Sequence, residues 1–155
     1  MLREVRNGDL DLFFGFRTDP DAIWMAAEPD DPTDRAAFDA VWRTMRTEPS
    51  ITTRTIESRG QVVGYIVSWK HSSQREVEFW IGREHWGKGI ATAALAEFLE
   101  LEPERPLYAV AAQDNLGAVR VLEKFGFQVV QEGTNLMAAR DEPVRISLLA
   151  VGLSD

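Results

Sequence analysis

A glycine-containing turn that leads into a helix-like run is the segment of this sequence best suited to bind a charged ligand. The turn consists of Trp86, Gly87, Lys88 and Gly89. Glycine tolerates positive φ and lets the backbone approach a ligand closely. The first amides of a helix lack partners within it and carry partial positive charge, so they attract anions. With the cationic side chains of Arg83 and Lys88 added, this turn predicts a binding site for a pyrophosphate or a similar anion.

Two common phosphate-binding motifs do not account for this turn. The pattern G-x-x-x-x-G-K-[ST] is absent from the sequence, so the turn is not a Walker loop. Thr92 stands where the dinucleotide fingerprint G-x-G-x-x-G has its third glycine. A glycine pair before a helix can also serve only to make the turn, and the pattern by itself leaves that interpretation open.

The hydrophobic pattern around the turn predicts the elements that must position it. Alternating or continuous apolar runs predict strands at 2–6, 51–58, 61–69, 76–81, 107–112, 127–131 and 144–151. Helical spacing predicts helices at 10–17, from an N-cap at Thr33 to about 47, from near Gly87 to Pro103, and from Asn115 to Gly126. The segment between Asp19 and Asp34 is predicted to be a loop. This order, β-α-α-β-β-β-α-β-α-β-β, indicates an α/β (α+β) sheet with helices on its faces.

Composition limits the class of protein. The length fits one domain, predicted here over residues 1–155. The absence of cysteine excludes disulfides and a cysteine nucleophile, and it suits a reducing compartment. A net charge of -8 argues against sequence-independent nucleic-acid binding. No secretory signal or membrane-spanning run is recognisable, so a cytoplasmic location without membrane association is expected.

Two segments of the sequence resemble a known family. The stretch from Phe79 to Leu95, with Trp86-Gly87-Lys88-Gly89-Ile90-Ala91-Thr92 at its centre, resembles the acetyl-CoA motif of the GNAT superfamily of N-acetyltransferases. The stretch from Asn115 to Phe127 resembles the helix of that family that begins with Asn and ends in Gly-Phe. The resemblance covers nearly the whole chain. It is greatest to the branch that contains the ribosomal-protein alanine N-acetyltransferases.

The resemblance implies a GNAT-like, mostly antiparallel sheet of about seven strands with helices on both faces. It also implies acetyl-CoA as cosubstrate and no metal. The backbone of Ile81 would meet the pantetheine arm, and Asn115 would reach the same arm unless it only caps its helix. The residues expected to bind acetyl-CoA are Ile81, Arg83, Trp86, Gly87, Lys88, Gly89, Ile90, Ala91, Thr92 and Asn115.

The sequence departs from the family pattern at three positions. Glu84 stands where the family often has Gln or Arg, a change that the branch tolerates because backbone amides do most of the binding. Ala118 stands where Ser is common. Leu122 replaces the Tyr that many members use as a general acid. A tyrosine acid at that position is therefore excluded.

Acetyl transfer requires a neutral amine beside the thioester, so a proton acceptor is expected. Glu76 and Glu78 alternate with apolar residues and share one strand face with Trp80, which makes these two glutamates the candidate catalytic residues. The alternative is a solvated strand face. His71 is predicted in a polar turn and His85 on the surface of the cofactor turn. Nothing in the spacing selects the two other candidate acids, Tyr65 and Tyr108.

An acidic segment bears on the identity of the amine. Its carboxylates surround Trp24 and Met25, and they are Asp19, Asp21, Glu28, Asp30, Asp31 and Asp34. In the family, this part of the chain borders the acceptor, so the resemblance implies a cationic amine with an apolar part. Neutralising Asp30 and Asp31 is expected to weaken acceptor binding only. The alternative is a solvated loop that supplies helix caps.

Two functions from different classes remain open. The first is an N-acetyltransferase that acts by direct transfer on a primary amine, such as a peptide N-terminus or a cationic small molecule. The second is a catalytically weak acetyl-CoA-binding sensor or interaction module. A monomer and a homodimer are both compatible with the sequence, because the last predicted strand, 144–151, is apolar on both faces and could pair with its own sheet or with a second copy.

Overall fold

The computed structural model describes residues 1–26, 33–137 and 142–153. Over those residues the chain forms seven strands, five α-helices and one short 3₁₀ turn. The strands are β1 (Leu2–Arg3), β2 (Thr52–Ser58), β3 (Gln61–His71), β4 (Gln74–Ile81), β5 (Leu107–Ala112), β6 (Gln128–Met137) and β7 (Glu142–Val151). The helices are α1 (Asp9–Arg17), α2 (Pro20–Ala26), α3 (Arg35–Thr47), α4 (Ile90–Leu101) and α5 (Leu116–Lys124), and the 3₁₀ turn is Arg83–His85.

The strands form one mixed sheet in the order β1-β2-β3-β4-β5-β7-β6. Every neighbouring pair is antiparallel except β4 and β5, which run parallel. The predicted mostly antiparallel α/β sheet is therefore confirmed. Since β7 lies between β5 and β6, both of its edges are paired within its own sheet, which decides between the two interpretations of the apolar last strand.

Helices cover both faces of the sheet. On one face, α4 and α5 bury apolar side chains against β4, β5 and β7, with Phe98, Leu95 and Leu122 almost fully enclosed. On the other face, α1 and α3 pack an aromatic cluster onto β3. Its rings are Phe13, Trp42 and Tyr65, whose centroids lie 4.9 to 5.1 Å apart. Burial of large apolar side chains on both faces is the main stabilising term for such a sheet.

The segment predicted as a loop after Asp19 contains a helix, α2. Asp19 caps it, because its Oδ1 accepts hydrogen bonds from the amides of Asp21 (3.0 Å) and Ala22 (3.2 Å). Pro20 occupies the first helical position, where its fixed φ and missing N–H cost nothing. The many acids and prolines in this segment favoured the prediction of a loop, so the cap at Asp19 was not recognised from the sequence.

Several predicted boundaries were wrong for identifiable reasons. The N-cap of α3 is Asp34 rather than Thr33, since the Asp34 carboxylate accepts from the amide of Ala37. Helix α4 begins at Ile90 rather than near Gly87, because the φ angles of Gly87 (74°) and Gly89 (76°) are left-handed. Strand β6 (Gln128–Met137) extends well beyond the predicted 127–131, and β7 (Glu142–Val151) begins two residues before the predicted 144–151. Their mutual pairing satisfies backbone groups even where the side chains are polar.

Within the described ranges, no helix is both long enough and apolar enough to cross a lipid bilayer.

Candidate active site

The parallel neighbours β4 and β5 separate soon after they meet. Their register joins Arg75 to Leu107 and Glu76 to Tyr108, and pairing stops there although both strands continue. Residues 77–81 of β4 and 109–112 of β5 then line the two sides of a cavity. A sheet opened in this way exposes strand backbone to a ligand, so the opening is where a bound molecule can be held.

The cavity has a volume of about 780 Å³ and joins two chemically different regions. The first region, here called the glycine side, lies at the start of α4 and along α5, and includes Trp86, Gly87, Gly89, Ile90, Ala91, Thr92 and Asn115. The second, here called the carboxylate side, lies on β3, β4 and α2, and comprises Ala22, Met25, Trp69, Glu76, Glu78 and Trp80. A volume of this size suits an extended organic ligand.

The glycine side presents the N-terminus of α4. Gly89 is the N-cap and has no side chain to bond to the first-turn amides, so those donors remain available to a ligand. A Cβ built on Gly87 or Gly89 would meet no atom within 4 Å. The space beside both glycines is therefore open, and their left-handed φ angles are what disfavour other residues. An anion placed here would be bound by amides and by the helix dipole.

The backbone of Ile81 points into the opening between β4 and β5. The amide of the next residue, Gly82, donates to Val63 on β3, so alternation along the strand turns the backbone of Ile81 the other way. The Ile81 carbonyl accepts a hydrogen bond from Nε1 of Trp86 at 2.8 Å. This bond ties the indole to the end of β4, even though Trp86 is exposed.

Helix α5 forms another wall of the glycine side. Asn115 caps it by accepting from the amide of Ala118 through Oδ1 at 3.3 Å, and the same residue lines the cavity. The cap uses only the acceptor half of the amide, so capping and contact with a ligand are compatible. Leu122, the position at which the sequence excluded a tyrosine acid, is almost fully buried and lines the cavity with an apolar side chain.

The carboxylate side carries the two glutamates of β4 on one face. Trp69 of β3 lies directly opposite Glu76, and Tyr65 lies opposite Trp80. Burial raises the pKa of the Glu76 carboxyl above its ordinary value, and the positive field of His71 only partly offsets this. A carboxylate with a raised pKa is a stronger base, so Glu76 is suited to accept a proton.

Arg17, at the end of α1, lies beside the second glutamate, Glu78. Arg17 Nη1 lies 3.9 Å from Oε1 of Glu78 and donates to the Tyr65 hydroxyl at 2.5 Å. Its guanidinium carbon stands 4.5 Å from the centre of the Trp80 ring. Glu78 is thus held beside a fixed cation, whereas Glu76 is not part of that contact. Sequence reasoning missed Arg17 because only the folded register brings the end of α1 to β4.

Two cationic residues that were predicted to belong to the cofactor turn do not line the cavity. Within the described residues, Arg83 and Lys88 are not among those that line it. Arg83 instead bonds to Asp19 and Asp21 of α2, at 3.2 Å and 2.5 Å. His85, predicted on the turn surface, has a mostly buried side chain that lines the cavity and packs edge-on to Phe16.

The other candidate residues occupy less central positions. His71 ends β3, Tyr108 pairs with Glu76 at the point of separation, and Tyr65 is buried in the aromatic cluster. Met25, which the sequence analysis placed within the acidic segment expected to border the amine, lines the cavity from α2. Trp69 also lines it but was not selected from the sequence, because its role depends on strand register. Asp30 and Asp31, together with Glu28, lie outside the described residues. Among the described side chains, no group of three His, Asp or Glu is arranged to hold a metal ion.

Comparisons with known proteins agree with this geometry. The family model of the acetyltransferase (GNAT) domain matches residues 1–128. Similar solved structures include spermidine N-acetyltransferase from Vibrio cholerae in complex with CoA and spermine (15% identity, TM-score 0.82, covering 97% of this chain and 94% of that one). Ribosomal-protein-alanine N-acetyltransferase from Brucella melitensis is also similar (20% identity, TM-score 0.77, 99% of each chain). No curated protein matches the sequence.

A further structural neighbour is Mycobacterium smegmatis RimJ in complex with CoA-disulfide. It is 22% identical and has a TM-score of 0.78, with 97% of this chain and 80% of that one covered. At these identities the structural likenesses establish the fold, and the match to the family model extends over most of the chain.

Proposed function

This chain belongs to the acetyltransferase (GNAT) domain family, and we propose that it transfers an acetyl group from acetyl-CoA directly to a primary amine. One observation carries the proposal. A single cavity joins an anion-binding helix terminus to a pair of strand carboxylates, so it offers a place for a phosphorylated donor and a place for a cationic acceptor. We further propose that residues 1–155 act as one N-acetyltransferase domain.

The residues of the glycine side fit acetyl-CoA. Pyrophosphate needs several N–H donors in an open concavity, which the first turn of α4 and the two left-handed glycines provide. An extended pantetheine arm needs a strand edge, which residues 77–81 of β4 provide where β5 has separated. When bound there, acetyl-CoA would supply an acyl carbon activated by its thioester. Ile81 backbone, the Trp86–Thr92 turn and Asn115 are the groups that would hold it.

The carboxylate side fits the amine. Glu76 would take one proton from the protonated amine, so that the neutral nitrogen can bond to the acetyl carbon. As the carbon–sulfur bond breaks, CoA would leave as a thiolate and take up the second proton that the nitrogen loses in forming the amide. The burial of Glu76 supports its role because the raised pKa makes the Glu76 carboxylate a stronger base. Glu78, beside Arg17, would contribute to the field that attracts the protonated amine before transfer.

The side chains around the glutamates support a cationic amine attached to an apolar group. Trp69, Trp80 and Met25 supply apolar surface around two carboxylates. The Vibrio cholerae neighbour in complex with spermine and the Brucella melitensis neighbour named for protein alanine mark two acceptor classes to test, polyamines and peptide N-termini.

The test is a screen of amines with acetyl-CoA and detection of the released thiol. The panel should contain polyamines, arylalkylamines, free amino acids and short peptides with free N-termini. The proposal expects release of CoA with at least one amine and acetylation of its nitrogen. Tight binding of acetyl-CoA with no release across the panel would contradict an enzyme and favour the acetyl-CoA-binding module instead.

A further inference from the structure

Arg83 bridges two parts of the molecule that the chain separates by more than sixty residues. Its Nε donates to Oδ2 of Asp19 at 3.2 Å, and its Nη1 donates to Oδ2 of Asp21 at 2.5 Å. Arg83 belongs to the 3₁₀ turn between β4 and the glycine turn, whereas the two aspartates begin α2. The guanidinium therefore joins the segment that precedes the proposed cofactor site to a helix that also lines the cavity.

One of these aspartates also starts the helix. Oδ1 of Asp19 caps α2 by accepting hydrogen bonds from the amides of Asp21 and Ala22. Arg83 therefore holds the same carboxylate that caps the helix. A helix as short as α2, Pro20–Ala26, is marginal without such support. The contact between Arg83 and Asp19 therefore lies where even a modest interaction can stabilise the helical conformation of α2.

Helix α2 in turn forms part of the carboxylate side. Ala22 is buried in the aromatic cluster beside Trp80, and Met25 lines the cavity. A displaced α2 would open this side of the cavity without changing the glycine turn itself. The side of the cavity that depends on α2 is therefore the side assigned to the amine.

The same contacts make Arg83 a poor ligand for phosphate. Two carboxylates already accept its hydrogen bonds, and their negative charges would repel a pyrophosphate brought to the same guanidinium. The N-terminus of α4 offers an anion site free of this repulsion. The sequence led to the expectation that Arg83 binds the cofactor, in which case losing Arg83 would weaken acetyl-CoA binding. A role in the bridge to α2 would instead affect the acceptor.

We propose that Arg83 is a positioning residue for the acceptor: by bridging Asp19 and Asp21 it holds α2 against the carboxylate side, and it does not bind the phosphates of acetyl-CoA. This inference rests on the proposed function, since it assigns the carboxylate side to the amine. Because the bridge is partly exposed, its contribution is modest and sensitive to salt.

Kinetics of three variants test the proposal. Arg83→Gln is expected to raise the KM for the acceptor by roughly 5-fold and to leave the Kd of acetyl-CoA unchanged. Asp21→Asn, which leaves the cofactor turn and the contact between Arg83 and Asp19 intact, should raise the acceptor KM by a smaller factor. The double variant should resemble Arg83→Gln, because that substitution already removes both contacts of the bridge. A weaker acetyl-CoA affinity in Arg83→Gln with an unchanged acceptor KM would overturn the proposal.

Hydrogen exchange supplies a readout that does not require turnover. In Arg83→Gln, the amides of α2 should exchange faster than in the wild type. Arg35→Gln is the matched control, since Arg35 is also a half-exposed arginine that bridges two aspartates, Asp11 and Asp39, away from the cavity. Unchanged exchange in α2 would reject the bridge itself. Absence of any acetyl transfer by the wild type would instead reject the proposed function, and it would be evident before any variant is compared.

Discussion

Arg75 and Glu102 form a buried ion pair at the point where β4 and β5 are still joined. Arg75 Nε donates to Oε1 of Glu102 at 2.7 Å, and the hydroxyl of Ser68 donates to the same oxygen at 2.7 Å. Glu102 is the C-cap of α4, and Arg75 pairs with Leu107 in the parallel register. The pair thus anchors the far end of the helix whose N-terminus is the proposed anion site, just before the strands separate.

We expect Arg75→Met to destabilise the protein by about 3–5 kcal/mol, because it leaves the Glu102 carboxylate buried without its cation. Burial alone would raise the pKa of Glu102, but hydrogen bonds from Ser68, the Glu104 amide and Arg75 together lower it. Denaturant unfolding at neutral pH measures the loss.

Two comparisons separate this buried pair from an ordinary ion pair. Replacing both partners, as Arg75→Met with Glu102→Leu, should recover much of the stability, since no buried charge remains. Lys70→Ala breaks the exposed contact between Lys70 and Glu104 and should cost no more than about 1 kcal/mol. Equal losses in Arg75→Met and Lys70→Ala would contradict the role given to burial.

Protonation of Glu76 is expected to cause the loss of activity as the pH is lowered. Glu76→Gln should lower kcat/KM by about 100-fold or more and leave acetyl-CoA binding unchanged, because it removes the proton acceptor alone. Since burial raises the pKa of Glu76, wild-type kcat/KM should begin to fall at a pH above the ordinary glutamate range as the pH is lowered. Glu78→Gln should have the smaller effect. A larger loss in Glu78→Gln would move the role of base to Glu78.

Asn115 allows its two proposed roles to be separated. Asn115→Asp keeps the Oδ1 acceptor that caps α5, so stability should be retained, but it replaces the N–H donors with a charge and should weaken acetyl-CoA binding. Asn115→Ala should lose about 1 kcal/mol of stability as well as affinity. Thermal unfolding and calorimetry on both variants distinguish the roles. If Asn115→Asp bound acetyl-CoA with wild-type affinity, Asn115 would act only as a helix cap.

Asp9 should make stability depend on acid pH. Burial would raise its pKa, but hydrogen bonds from Arg3, the Arg6 amide and Thr55 lower it to about 2. A pKa that is lower in the folded state than in the unfolded chain stabilises the fold above the unfolded value, and this contribution is lost as the pH falls from about 4 towards 2. We expect Asp9→Asn to cost about 2 kcal/mol at pH 7 and almost nothing near pH 2.

Asp11→Asn is the matched control for this dependence, since Asp11 lies on the same helix but is largely exposed in its contact with Arg35. Its stability should stay close to that of the wild type at every pH. If Asp9→Asn showed the same small effect at pH 7, the buried network around Asp9 would not contribute as described.

The sequence predicted the sheet well where local pattern and tertiary role agree. The alternation in β4 and the continuous apolar run of β5 follow directly from burial on one or both faces, and both strands lie where predicted. Helix α2 was missed because its cap, Asp19, is one acid among many, and the burial of Ala22 that favours a helix over a loop depends on tertiary packing.

The site was predictable to the extent that it depends on backbone conformation. Glycine permits the positive φ angles that Gly87 and Gly89 adopt, and the sequence therefore predicted that the turn before α4 is the proposed anion site. The partners of charged side chains were not predictable, because they are set by register between distant elements. Arg83 bonds to α2, and Arg17 reaches Glu78, across separations that no local pattern encodes.

Calorimetric titration with acetyl-CoA of the wild type and of Gly89→Asp tests the central claim most directly. Gly60→Asp is the matched control, because Gly60 has the same φ of 76° and the same open surroundings but lies in the β2–β3 turn. Both variants should lose about 1 kcal/mol of stability from the left-handed conformation. We predict that the wild type and Gly60→Asp bind acetyl-CoA alike and that Gly89→Asp does not bind. A folded wild type that does not bind, or equal binding by Gly89→Asp, would contradict an acetyl-CoA site at the start of α4.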